Sequence, residues 1–86
     1  MVFSTQSLFE ISIAGAKSEH SEWRLNPEME GVIEKACLEI DTERAGNDYD
    51  VFTNVDDAGN GTISLKESST GDNVKSWVFE EVFIIE

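Results

Sequence analysis

Polar and apolar residues follow two different rhythms along this chain. Residues 8–14, "LFEISIA", alternate, with Phe9, Ile11 and Ile13 on one face, which predicts a β-strand. The polar stretch "GAKSEHSE" connects it to "EWRL", where Trp23 and Leu25 share a side and predict a short second strand. The rhythm then changes. Met29, Val32, Ile33, Ala36, Cys37 and Ile40 recur at helical spacing and form one apolar stripe. Asn26 is a good N-cap, Pro27 suits the first helical position, and Glu28 falls in the positive first turn. Gly46 is a natural stop, so a helix is predicted from Pro27 to near residue 45. Alternation returns in "DYDVFTNV", with Tyr49, Val51, Thr53 and Val55 on one face, and in "TISLKE" through Ile63 and Leu65. The end, "NVKSWVFEEVFIIE", is rich in aromatic and β-branched residues and predicts a strand bulged at Glu80-Glu81. Val74, Val78 and Val82 at i+4 spacing also suit a helix there. "DAGN" and "SSTGDN" supply turn residues between strands. The pattern as a whole predicts an α+β fold of order ββ-α-βββ. It would be one antiparallel sheet of about five strands with one long amphipathic helix packed on a face.

Length and charge narrow the picture. Eighty-six residues suit one compact domain, 1–86, with no repeat or linker. Five Phe, two Trp and one Tyr argue against a disordered acidic tail. Eighteen Asp and Glu against six Lys and Arg give a net charge of −12, spread over the whole length. Such a surface repels nucleic acid and anionic membranes and attracts basic protein grooves and cations. Plain solubility is the alternative meaning. Cys37 is the single cysteine, which excludes a disulfide framework and a cysteine zinc site and fits a reducing, cytoplasmic setting. No segment is apolar for long enough to span a membrane. "MVFSTQSLFEISIAGAKSE" ends in an A-x-A-like Ala14-Gly15-Ala16 but lacks a basic start and carries Glu10, so it does not read as a signal peptide. Asn60-Gly61-Thr62 matches a glycosylation sequon and reads as turn chemistry.

Candidate chemistry is sparse. Asp56 to Glu67, "DDAGNGTISLKE", resembles an EF-hand calcium loop, with Asp56, Asn60, Thr62, Ser64 and Glu67 as oxygen donors. Ala58 stands at the third position, and the exiting helix would have to run through "SSTGDN". The favoured reading is a β-hairpin turning at Ala58, Gly59, Asn60 and Gly61. His20 is the only histidine, and nothing in its spacing from Ser18 or the carboxylates builds a nucleophile set. No glycine loop suited to phosphate is present, and Cys37 falls on the apolar stripe as inert core. The expectation is a protein that is not an enzyme and carries no cofactor or metal.

The pieces "NPEMEGVI", "NDYDVFTNVDDA" and "TISLKESSTGDNVKSWVF", about half the chain, resemble the small acidic phage inhibitors that imitate DNA, those of uracil-DNA glycosylase in particular. That family carries an N-terminal helix, where the alternation of "STQSLFEISIAG" predicts a strand. The resemblance implies a phage or mobile-element protein that blocks a repair glycosylase, a restriction enzyme or a CRISPR effector. Its partner would be a basic nucleic-acid-binding protein, with no direct contact to nucleic acid or membrane. The physics is independent of the resemblance, because carboxylates spaced like phosphates can occupy a groove lined with Lys and Arg. Helix residues Glu28, Glu30, Glu34, Glu39 and Asp41 would form the row. Glu19 and Glu22 before it, and Asp48, Asp50, Asp56 and Asp57 after it, would extend it. Trp23 and Leu38 are candidate apolar anchors. An immunity protein against a nuclease toxin shares this physics. The remaining alternatives are a calcium module, or an assembly protein that forms a homodimer through "VFIIE".

Overall fold

The computed structural model describes residues 4–20 and 22–85. Its order is α1 (Thr5–Glu19), β1 (Trp23–Leu25), a 3-10 turn (Pro27–Met29), α2 (Glu30–Arg44), β2 (Tyr49–Val55), β3 (Gly61–Glu67), β4 (Asn73–Phe79) and β5 (Phe83–Ile85). The fold is α+β, and all strand pairs are antiparallel. There are two sheets, β2-β3-β4 and β1-β5, where the hydropathy pattern predicted one. Met1 to Phe3 of the stretch weighed as a signal peptide, Ser21 of "GAKSEHSE" and Glu86 of "VFIIE" lie outside the described residues.

The predicted first strand is a helix. Ser4 caps α1 by accepting from the Ser7 N–H at 3.2 Å. The inward side of α1 carries Thr5, Phe9, Ser12, Ile13 and Ala16, a helical spacing hidden because two of its members are polar. Thr5 is wholly buried and donates its N–H (3.1 Å) and its hydroxyl (2.6 Å) to Asp41 of α2. Ser12 bonds the Thr53 hydroxyl of β2. Ile11, which completed the apparent alternation, is exposed.

The Asn26 cap is as predicted and accepts from the Glu28 N–H at 3.1 Å, but the first turn is 3-10 and the α-helix proper starts at Glu30. Ile33, Ala36, Cys37 and Ile40 of α2 are buried, whereas Val32, assigned to the same stripe, is half-exposed. They join Phe9, Ile63, Leu65, Phe79 and Val82 in one core between the two helices and the three-stranded sheet.

The C-terminal segment is not one bulged strand. Glu81 adopts φ 54°, the left-handed region, and turns the chain out of one sheet into the other. Its N–H donates to Asn60 Oδ1 (3.2 Å) and its carbonyl accepts from Asn26 Nδ2 (2.9 Å), while Val82 N–H reaches the Gly59 carbonyl (2.7 Å). Gly59 is required here: its φ is 83°, and a Cβ would lie 2.7 Å from the Phe83 carbonyl oxygen. β5 then pairs with β1, so Trp23 stands opposite Ile85. The one bulge among these strands lies instead at the Leu65/Lys66 step between β3 and β4. Among the described residues no helix is long and apolar enough to cross a membrane.

Candidate protein-interaction surface

Helix α2 presents two flanks on either side of its buried stripe. Glu30 and Glu34, one turn apart, flank the side that meets α1, where they line a cleft with Gln6, Glu10, Leu25 and Ile33. No basic side chain lines that cleft. Like charges at i, i+4 destabilise a helix by about 0.2–0.5 kcal/mol, so this arrangement lowers stability slightly. Glu28 is exposed on the preceding 3-10 turn. Glu10 was not part of the predicted acidic row because it fell inside an apparent strand. The signal for a helix there is Ser4, a residue type that caps helices and does so for α1.

The opposite flank is mixed. Glu39 and Glu43 line a groove with Lys35, Leu38, Thr42 and Lys75, and the groove continues along Val32, Ala36, Trp77, Val78 and Phe79. Lys75 lies over the Trp77 ring, 5.0 Å from its centroid. The predicted helical row is therefore divided: Glu28, Glu30 and Glu34 stay together, and Glu39 belongs to the other side. Asp41 leaves the row altogether. It is turned to α1, where it receives both Thr5 donors and lies 3.6 Å from Arg44, so its task is to tie α1 to α2.

A third acidic group sits at the far end of α1, where Glu19, His20, Asp56 and Asp57 line a hollow with Ser12 and Thr53. His20 stacks on Trp23 (4.2 Å between centroids) and contacts Asp57 at 3.3 Å. Asp56 is committed to the hairpin, because its Oδ1 accepts from the N–H groups of Ala58 (2.9 Å) and Asn60 (3.0 Å). Glu22, Asp48 and Asp50 are exposed, and Asp50 stands opposite Lys66 on the outer face of the sheet. Of the two predicted apolar anchors, Leu38 is 67% exposed and lines the mixed groove, whereas Trp23 is not available at the surface. Trp23 is only 6% exposed, held between His20 and Phe83 as the core of the small sheet.

The calcium loop fails on geometry. β2 and β3 pair without interruption from Tyr49↔Glu67 to Val55↔Gly61, so Asp56 and Glu67 are separated by the length of a seven-residue strand, about 20 Å. Thr62 and Ser64 are paired within the sheet, and Asn60 Oδ1 is used by Glu81. Among the described residues no three His, Cys, Asp or Glu side chains gather as a metal site.

Cys37 is buried beneath α2. Its thiol is pushed up from 9.0 to about 11 by burial, with the Asp41 and Glu10 carboxylates adding to the rise. A thiol held protonated in this way is a poor nucleophile. Of the described carboxylates only Asp41 is withdrawn from solvent; all the others are exposed. Compared with known proteins, the chain matches no family model, no curated protein and no solved structure.

Proposed function

We propose that this protein is an acidic inhibitor that fills the basic groove of a nucleic-acid-binding enzyme, leading with the flank of α2 that carries Glu28, Glu30 and Glu34 beside Glu10 of α1. The observation that carries this reading is that flank. Exposed carboxylates from two packed helices converge there, with no basic residue lining the cleft between them. Glu30 and Glu34 are about 6 Å apart along the helix axis. That is close to two phosphate steps of a single DNA strand, at roughly 3.4 Å each. Because both helices are anchored in one core, the charges are held in place before the partner arrives, which lowers the entropic cost of binding.

The resemblance to DNA-imitating phage inhibitors supports the same reading at two points. "NPEMEGVI" opens α2 and "NDYDVFTNVDDA" forms β2 and its turn. That family carries an N-terminal helix, and the first described element of this chain, α1, is also a helix.

The test is a titration of the full chain into uracil excision by uracil-DNA glycosylase, with a restriction endonuclease and a CRISPR effector nuclease assayed in parallel. One of these activities falls to background near equimolar inhibitor. The triple variant Glu28→Lys, Glu30→Lys, Glu34→Lys, whose fold is checked by circular dichroism, no longer inhibits it. Full activity of all three enzymes, or inhibition untouched by the triple reversal, overturns the proposal.

A further inference from the structure

The two edges of the three-stranded sheet are unlike. β2 carries Asp50 and is preceded by Asp48, whereas β4, Asn-Val-Lys-Ser-Trp-Val-Phe, has no acid in a chain of net charge −12. β4 is the last strand of its sheet, and among the described residues no backbone group bonds to its far side. An unpaired edge of this length is a template for another strand.

Beside that edge runs the mixed groove of α2. Its four charges, Lys35, Lys75, Glu39 and Glu43, sum to zero, and Leu38 and Val78 beside them are 67% and 71% exposed. Half of the six basic residues of the protein, Lys35, Lys66 and Lys75, lie on β4, opposite it or across the groove from it. A surface of this kind is complementary to itself. We infer that a second copy of this chain docks here, β4 against β4 in antiparallel register about Ser76, with the two α2 grooves closing on each other around a two-fold axis. This interface is separate from the acidic flank proposed to bind an enzyme, and neither inference depends on the other.

The register follows from the sequence of the strand. With Ser76 opposite Ser76, Lys75 of each copy falls opposite Trp77 of the other and extends the cation–π contact already made within one chain. Val78 falls opposite Val74, the residue left without a partner on β3 where the register shifts. Lys75 also gives the edge its selectivity. A lysine on an edge strand discourages pairing with arbitrary strands, and here Glu39 and Glu43 of the two closing grooves offset it. Two bodies of charge −12 repel at a distance, so added salt strengthens this association by screening.

Sedimentation velocity of the full chain at 50 and 500 mM salt provides the test, read as a rise from the 9.6 kDa monomer toward twice that mass. The expected result is a dimer favoured by concentration and by the higher salt. It is weakened about tenfold or more by Val78→Glu, and unaffected by Phe52→Glu, which shares the outer face with Val78 but stands on the opposite edge strand, β2. A second variant fixes the register without depending on stability. Ser76→Cys places two thiols across the axis at about 4.5–5.5 Å between Cα atoms, a separation a disulfide accepts. It cross-links under mild oxidation well ahead of Ser68→Cys in the exposed turn, while Cys37 is buried and does not compete. A monomer at both salts, a dimer lost with Phe52→Glu but kept with Val78→Glu, or equal cross-linking at positions 68 and 76 overturns the inference.

Discussion

The two flanks of α2 share a backbone and a buried stripe, yet they are built for opposite electrostatics. On the α1 side, Glu30 and Glu34 meet Glu10 across a cleft that no basic side chain lines. On the β4 side, Glu39 and Glu43 alternate with Lys35 and Lys75 over an apolar floor. The first surface repels a copy of itself and attracts a basic groove. The second is neutral and can meet its own image. A net charge of −12 describes neither, because function depends on where the few cations are placed. One sequence period separates the surfaces: Glu30 and Glu34 lie four apart on one side, Lys35, Glu39 and Glu43 four apart on the other.

Both flanks depend on the stripe between them, and removing it is the harshest test of the comparison. Ile40 is fully buried in the shared core, so Ile40→Ala is expected to lower stability by about 2–5 kcal/mol and to abolish both associations together. Thermal unfolding followed by circular dichroism measures the first effect. If either association survives intact in the folded fraction at unchanged stability, the flanks are not supported by this core. A smaller and more selective change is Glu30→Lys with Glu34→Lys, at two exposed positions. It should weaken enzyme binding about a hundredfold, near 2.7 kcal/mol, and leave the sedimentation of the protein alone unchanged. Loss of both properties would merge the two surfaces into one, and loss of neither would remove Glu30 and Glu34 from enzyme binding.

The sequence made the middle of the fold legible and hid its two ends. The Asn26-Pro27 start of the helical region, the alternation of β2 and β3, and the DAGN turn are local signals, and each appears where its chemistry predicts. α1 was masked because tertiary contacts, Thr5 with Asp41 and Ser12 with Thr53, satisfy polar residues on its inward face. Hydropathy periodicity has no access to such contacts. The break between β4 and β5 was equally remote. Glu81 in a left-handed conformation is held by Asn26 and Asn60, residues 55 and 21 positions away. At the interaction surface, charge in the sequence identified the acids, but only the packing of α1 on α2 added Glu10, separated Glu39 from Glu34, and drew Asp41 and Trp23 inward.

Asp41 supplies the next prediction. Asp41→Ala leaves the buried Thr5 without its acceptor and is expected to cost about 1–2 kcal/mol. Because Asp41 ties α1 to α2, the acidic flank should lose affinity while the β4 side is unaffected. Hydrogen exchange of α1 amides, faster in the variant, checks the loosening; unchanged exchange refutes it. The smallest effect is carried by Cys37. Its folded-state pKa of about 11 lies above the ordinary 9.0, so the fold favours the protonated thiol. That contribution is fully present below pH 9 and is lost as pH rises from about 9 to about 11. Glu10→Gln removes one carboxylate that raises this value, so thiol reactivity at pH 9 should increase modestly. Lys35→Gln on the other flank should not lower the thiol pKa. Equal increases for the two variants would mean that Cys37 does not distinguish the sides.

The central claim is that the acidic flank replaces nucleic acid in a basic groove, and its salt dependence tests that most directly. Calorimetric titration of the full chain into uracil-DNA glycosylase at 50 and 300 mM salt should give a Kd that rises about tenfold or more, as exposed charge pairs are screened. The wild-type protein and the Glu30→Lys, Glu34→Lys variant should converge as salt increases. An affinity that is flat across this range, or no binding at the lower salt, would contradict the account for this enzyme.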